Sequence, residues 1–151
     1  MHCTTWWGTA LVIASILGCD STTPDPKAAL HRAQAQWAAA GITHYQLQLV
    51  PECFCSITGT RVVAEVMNGA VVSLRYADSL QVNADTTLYA LFTTVPRLFA
   101  LIDDAITSHA ARVDVLYTPR IGVPAAIDID YDLALADDEL TVTLESFSQL
   151  P

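Results

Sequence analysis

An uncharged stretch near the N-terminus limits which part of this chain can form a folded domain. The stretch runs from Trp6 to Leu17 and reads WWGTALVIASIL. Its twelve residues are too few for a stable helix across a hydrocarbon core of about 30 Å, and they suit the apolar region of a signal peptide, which has about 7–15 residues. The following segment from Asp20 to Lys27, DSTTPDPK, is polar and contains proline, as expected of a flexible tether. We therefore predict that residues 1–18 are a removable signal peptide.

The junction between these two segments carries a cysteine. Ile16-Leu17-Gly18-Cys19 resembles the lipobox of bacterial lipoproteins. The resemblance implies that the Cys19 thiol receives a diacylglyceryl group, that Cys19 becomes the first mature residue, and that several acyl chains anchor it to a membrane. Residues 19–27 are then a lipidated tether, and residues 28–151 are a single domain of the cell envelope that faces the periplasm or the exterior. The alternative is a buried apolar helix ending at a free cysteine, and the lack of Lys and Arg before Trp6 departs from the usual signal peptide.

The size and charge of the chain bound its fold and its partners. Its 151 residues fit one domain, and a hydrophobic content of 52% allows a core without a metal or many disulfides. With 16 acidic and 7 basic residues, the formal net charge is −9. This charge repels nucleic acid phosphates, although its simplest role is to keep the protein soluble. We therefore predict no nucleic acid partner.

Two segments have helical periodicity. Asp25-Pro26 provides a capping side chain and then proline at the first helical position, and Gly41 provides a terminating residue. The apolar face between them consists of Leu30, Ala33, Trp37 and Ala40. The second helix is predicted to begin at Pro96, and its buried stripe consists of Leu98, Phe99, Ile102, Ala105 and Ile106.

Six segments have the alternation or the composition of strands. Asn68-Gly69 joins two of them and is the strongest hairpin signal in the chain, because both positions of a type I′ turn need positive φ. Residues 76–94 read as a long, mostly polar connection. The predicted strands are Tyr45–Leu49, Arg61–Met67, Ala70–Tyr76, Val113–Tyr117, Ile127–Tyr131 and Leu140–Leu144. This order predicts an α+β fold with an antiparallel sheet of about six strands, two helices packed on one face, and two α-β-β-β halves as a hypothesis.

Several local motifs resemble one protein family. The residues that carry the resemblance are Trp37–Ile42 with Tyr45, Cys53-Phe54-Cys55, Asn68-Gly69, and Tyr117–Pro124 leading into Ile127–Asp130. Together they resemble a family of exported bacterial proteins described only as domain of unknown function 6174. The resemblance covers nearly everything from Leu30 onward, and it implies a fold and a location but no activity.

Cys53-Phe54-Cys55 is the first motif that could carry chemistry. Nearby thiols outside the cytoplasm tend to oxidise, but residues two apart in an extended strand have Cα atoms about 6.5–7 Å apart, so a Cys53–Cys55 disulfide needs a local bend. The alternatives are a redox-active dithiol and a Cu(I) or Zn²⁺ site that would need further ligands. Four other side chains are candidate ligands for such a site, and their spacing selects none of them: His44, His31, His109 and Met67.

An acidic segment is the second motif. Asp128, Asp130, Asp132 and Glu139 have the carboxylate spacing of a calcium loop, although Leu133 stands where that loop needs glycine. The simpler interpretation is a solvent-facing strand whose charges discourage aggregation through the sheet edge. We predict no cofactor.

Three functional hypotheses remain open at this point. The first is a non-enzymatic module, tethered to the membrane, that contacts a protein or another envelope component. The second is a thiol-based metal or redox protein centred on Cys53 and Cys55. The third is an enzyme with a cleft along the acidic strand, and it is less favoured because the chain lacks the local motifs of known catalytic sites.

Overall fold

The computed structural model describes residues 25–135 and 137–151, so the predicted signal peptide, Cys19 and most of the tether lie outside the described residues. The described part of the chain forms two helices and seven strands. They are α1 (Pro26–Ala40), β1 (His44–Cys53), β2 (Val62–Met67), β3 (Ala70–Tyr76), β4 (Ser79–Asn83), α2 (Val95–Thr107), β5 (Arg112–Tyr117), β6 (Pro124–Asp130) and β7 (Glu139–Gln149).

The strands form one antiparallel sheet in the order β4-β3-β2-β1-β7-β6-β5. The predicted α+β class is therefore confirmed. The additional strand β4 lies within the segment 76–94 that the sequence predicted as a connection. Its pairing with β3 includes Arg75–Asn83 and Tyr76–Ser79, and an edge strand of five residues leaves little pattern in a sequence.

The order of elements gives two halves, each a helix followed by strands, with four strands in the first half and three in the second. The two halves are arranged differently. The first strand of one half, β1, lies near the centre of the sheet, whereas the first strand of the other half, β5, lies at an edge. A short loop after each helix does not decide on which side of the sheet the next strand is added.

One face of the sheet is apolar and covered. In β1, the side chains of Tyr45, Leu47 and Leu49 are buried, and their neighbours on β2 are Val66, Ala64 and Val62. The helices contact each other and lie over the side of this face formed by β5 and β6. Their most buried residues are Leu30 and Ala33 of α1 and Val95, Leu98, Ile102 and Ala105 of α2.

The segment between β4 and α2 covers part of the same core. Tyr89 and Phe92 are buried in it, and the Tyr89 ring packs edge-on against Tyr76 of β3 with the ring centroids 6.4 Å apart. Thr94 then caps α2, because its hydroxyl accepts a hydrogen bond from the Arg97 backbone N–H. This segment is therefore a third covering element, which its polar composition did not predict.

Neither of the two described helices covers the opposite face of the sheet. It presents alternating polar side chains such as Gln46 and Gln48 of β1 and Ser146 of β7. This is the usual arrangement of an antiparallel sheet with one buried and one solvated face. The two motifs that the sequence singled out lie at one end of the sheet.

Candidate functional site

Cys53 and Cys55 lie at the end of β1, with their sulfur atoms at disulfide-bonding distance and their Cα atoms 5.2 Å apart. An extended strand would separate these Cα atoms by about 6.5–7 Å, so the chain bends here. The bend is fixed by the Cys55 backbone N–H, which donates to the Cys53 carbonyl oxygen at 2.8 Å. The predicted local bend is thus confirmed.

The loop after the bridge is tied back to β1. The Gly59 N–H donates to the Pro51 carbonyl oxygen at 2.8 Å, and the Cys53 N–H donates to the Thr58 hydroxyl at 3.2 Å. Ile57 is buried and attaches the loop to the core. The bridge and these bonds leave the Phe54 side chain 81% exposed, an unusual position for a large apolar residue held on a short, fixed loop.

Strand register brings the acidic segment to the same end of the sheet. Cys53 pairs with Leu140 of β7, Glu139 pairs with Asp130 of β6, and Asp130 pairs with Arg112 of β5. We call this the bridge end of the sheet. A hollow of about 280 Å³ joins the two motifs there, and it is lined by Glu52, Cys53, Phe54, Glu139 and Thr141.

The acidic residues are arranged as a strand and a turn. Arg112 donates from Nη2 to Asp128 Oδ1 at 3.2 Å and lies 3.7 Å from Asp130 Oδ2, so one guanidinium is shared by two carboxylates. Asp130 is buried. Asp132 lies beyond β6, where its carboxylate accepts from the Ala134 N–H in a turn. A calcium loop requires its carboxylates to wrap around one point, which consecutive residues of a strand do not do.

His44 lies at the far end of β1 from the bridge. Ten residues of strand separate the two ends, which corresponds to roughly 30 Å. Its ring nitrogens face the Glu65 carboxylate at 3.0 Å and the Pro151 carbonyl oxygen at 2.8 Å. Only the protonated ring can donate to both, and these hydrogen bonds raise the pKa of His44.

The other candidate ligands do not join the bridge either. Met67 pairs with His44 at the far end of β1, His31 lies on α1, and His109 follows α2. Across residues 25–135 and 137–151, no three His, Cys, Asp or Glu side chains are grouped so that they could hold a metal ion.

The bridge end has a further feature that the motif search missed. The connection from β6 to β7 carries two exposed leucines, Leu133 at 72% and Leu135 at 57% exposure. This connection and the Phe54 loop lie at the same end of the sheet, on either side of the first residues of β7. Two leucines in an otherwise acidic segment were the available signal. We call Phe54, Leu133, Leu135 and the carboxylates around them the tip surface.

The comparisons with known proteins identify a family without an assigned activity. Among the described helices, none is both long and apolar enough to span a membrane. The chain has no match among curated proteins, and none among solved structures. A family model described as a family of unknown function, DUF6174, matches residues 29–149, nearly the whole folded domain. This match confirms the resemblance of the local motifs, and the chain belongs to the DUF6174 family.

Proposed function

We propose that this protein is a lipid-anchored component of the bacterial cell envelope that binds a partner protein through its tip surface and catalyses no reaction. The observation that carries the proposal is the exposure of Phe54, which is 81% accessible on a loop fixed by the Cys53–Cys55 bridge and two hydrogen bonds. A large apolar side chain that is rigidly presented to solvent is typical of a binding anchor.

The other exposed apolar residues of the tip surface support the interpretation that it is a binding site and not an incidental exposure of one side chain. Single apolar residues on a surface need no explanation, but apolar residues gathered in one region indicate an interaction site. Leu133 and Leu135 are more than half exposed at the same end of the sheet as Phe54. Because the bridge holds Phe54 in place, little conformational entropy is lost when a partner covers it.

The charges around the tip surface define the chemistry of the partner. Glu52 and Glu139 line the hollow beside Phe54, and Asp132 precedes Leu133. Arg112 of β5 is already paired with Asp128, and Arg61, which precedes β2, is paired with Glu145. An acidic rim around an apolar centre fits a protein surface with an apolar pocket flanked by Lys or Arg, and it increases the rate of association at low salt.

The anchor supports the same proposal. A protein held by acyl chains on Cys19 searches for its partner close to one membrane, which raises the effective concentration of the pair if the partner is bound to that membrane. The basis for the anchor is the sequence around Cys19.

A second candidate function is thiol–disulfide exchange at Cys53 and Cys55. It is favoured by the exposure of Cys55, which makes one sulfur of the bridge accessible to the thiolate of another protein. In that reaction a partner dithiol would give two electrons and two protons to the bridge and would itself become a disulfide. The reduced pair could then also bind Cu(I) or Zn²⁺ together with ligands from a partner.

Site-specific photo-crosslinking in living cells tests the proposal. A photoreactive amino acid is placed at position 54, at position 133, and at the matched control position Val72, an apolar residue of β3 that is 54% exposed outside the tip surface. We expect positions 54 and 133 to crosslink to the same protein and position 72 not to do so. The double substitution Glu52→Lys with Glu139→Lys should abolish the crosslink, because it reverses the charge of the rim.

The purified partner then distinguishes the two candidate functions. Binding that is weakened at least tenfold by Phe54→Ser and strengthened by low salt supports the tip surface, at a cost of about 1.4 kcal/mol per factor of ten. Equal crosslinking from all three positions, or binding insensitive to Phe54→Ser, would refute it. When Cys53 is replaced by Ser, the Cys55 thiolate can attack the disulfide of the oxidised partner and release one partner thiolate, and a mixed disulfide trapped in this way would instead favour thiol exchange.

A further inference from the structure

A second concave surface lies away from the tip, between α1 and the edge strand β5. It encloses about 220 Å³ and is lined by five uncharged residues, Pro26, Ala29, Val113, Val115 and Tyr117, and by two charged residues, Arg32 and Asp114. The three α1 residues are spaced three apart and so share one side of the helix. The walls are mostly apolar, and we call this surface the α1–β5 groove.

One wall of the groove is the free edge of the sheet. β5 is the last strand in the sheet order, so its outer backbone edge faces no other strand within the part of the chain that the structure describes. Alternate residues of this six-residue strand offer unpaired N–H and C=O groups to an extended peptide, because the others pair with β6. Recognition by strand addition combines such main-chain hydrogen bonds with a pocket for a side chain, and the groove supplies that pocket.

The charges of the groove are unequal at its two ends. Gly122, in the turn between β5 and β6, packs against the backbone of Ala33, so that turn lies beside Arg32. The turn also carries the exposed Arg120, and neither arginine forms an ion pair with any described residue. The opposite end of the groove lies at the start of α1, where Asp25 caps the helix.

Tyr117 adds a hydrogen-bond donor at the arginine end. It lines the groove, and its hydroxyl oxygen is buried without a hydrogen-bond partner among the described residues. Burial raises the pKa of Tyr117 to about 12, so the hydroxyl keeps its proton at neutral pH. A buried donor without a partner is costly, and a ligand oxygen would relieve that cost.

We infer that the α1–β5 groove binds the carboxyl-terminal segment of another polypeptide, which adds to β5 as an extended strand and places its terminal carboxylate at Arg32. Arg32 and Arg120, which have no ion-pair partner among the described residues, provide charge complementarity at one end, whereas at the opposite end the charges of Asp25 and Lys27 offset each other. The peptide therefore runs parallel to β5, with its last apolar side chain between Ala29 and Val115. This site is separate from the tip surface and does not depend on the function proposed above.

Fluorescence anisotropy with labelled peptides tests this inference. The probes are N-terminally labelled hexapeptides that end in a free carboxylate and differ only in the last residue, together with the same peptides ending in an amide. We expect the best carboxylate probe to bind at least about tenfold more tightly than its amide, as for one charge-assisted hydrogen bond. Arg32→Glu should remove this difference.

Lys27→Glu is the matched control. It makes the same charge reversal at an exposed position of the same helix, but at the end of the groove near Asp25. We expect this variant to bind the carboxylate probe within about twofold of the unmodified protein. The bound peptide should also shift the amide NMR signals of residues 112–117 more than those of the Phe54 loop.

Several results would overturn the inference. They are equal binding of carboxylate and amide probes, absence of saturable binding by every probe at about 1 mM, and greater sensitivity to Lys27→Glu than to Arg32→Glu. Protection of the β5 amides in a dimer without peptide would also overturn it, because a second copy of the chain would then occupy the edge.

Discussion

Single positions with positive φ show which structural features could be predicted from the sequence and which could not. Asn68 and Gly69 have φ values of 50° and 80°, and the Asn-Gly pair predicted this turn from its composition alone. Gly122 has a similar φ of 70°, but its main constraint is the contact with α1. A Cβ atom at Gly122 would overlap the backbone of Ala33, whose Cα would be 2.9 Å away. That contact depends on how two distant segments pack, which no local pattern encodes.

The contact between Gly122 and Ala33 leads to a paired substitution. Gly69→Ala should cost about 1–2 kcal/mol of unfolding free energy, because a Cβ there meets nothing and only the positive φ is penalised. Gly122→Ala should cost about 2 kcal/mol more, because α1 must also move. Urea denaturation of both variants measures the difference. Equal losses would mean that α1 is not seated on the turn as described.

His44 should make stability depend on pH. Its folded-state pKa is raised, first by the hydrogen bond to Glu65 and then by the Pro151 carbonyl. The stabilisation is therefore complete below the unfolded pKa of about 6.5 and is lost as the pH rises through the folded pKa. We expect His44→Gln to reduce the fall in unfolding free energy above that pH. His31→Gln, a substitution at an exposed position of α1, should leave this fall in unfolding free energy unaltered. If the fall persists in His44→Gln, it is caused by another titratable group.

Secondary structure elements were predictable where their end signals are local. Asp25 caps α1 as predicted, accepting from the Lys27 N–H at 3.1 Å, and Gly41 ends it in the left-handed conformation. The segment that carries Tyr89 and Phe92 was not recognised as core, because two buried rings among polar residues are too few to establish a helical or a strand period. The bridge loop lies between these cases, since the bend was predictable from the Cys-x-Cys spacing but the outward position of Phe54 was not.

Substitutions in the bridge loop should affect the stability of the protein and the binding of its partner to different extents. A bridge between residues two apart removes little entropy from the unfolded chain, so replacing Cys53 and Cys55 together by Ser should cost at most about 1–2 kcal/mol. Ile57→Ala in the same loop removes a buried side chain and should cost about 2–4 kcal/mol. Urea denaturation and the crosslinking yield at position 54 are compared for both variants. We expect the serine variant to lose more crosslinking, and the opposite order would show that the bridge does not present Phe54.

At the scale of the whole molecule, the sheet order was the least predictable feature. The alternation of each strand indicates which side chains are buried, but not which strands are neighbours. The acidic strand and the Cys-x-Cys motif therefore appeared unrelated in sequence, although β7 places Glu139 beside Cys53 and Asp130. From the sequence alone, His44 was as acceptable a ligand beside the two thiols as the other candidate side chains. The length of β1 places it at the opposite end of the strand from them.

The proposed anchor is also a property of the whole molecule. We expect Cys19→Ala to abolish incorporation of an alkyne-labelled fatty acid and to move the protein out of the membrane fraction, because the thiol is the acceptor. Cys3→Ala is the matched control, since Cys3 precedes the proposed cleavage site, and it should leave labelling unchanged. An intact Met1 and unlabelled protein in the native product would refute the anchor.

The pairing of β1 with β7 at the middle of the sheet has a consequence for how the chain is made. The first strand of the domain, β1, can pair with its second neighbour, β7, only after residues 139–149 have been synthesised. Contacts between segments so far apart form slowly. A nascent chain would hold the β1–β4 meander with one side of β1 unpaired, and that open edge would attract other chains. Synthesis and folding of this protein are therefore expected to be well separated in time, as the export that we propose for it would require.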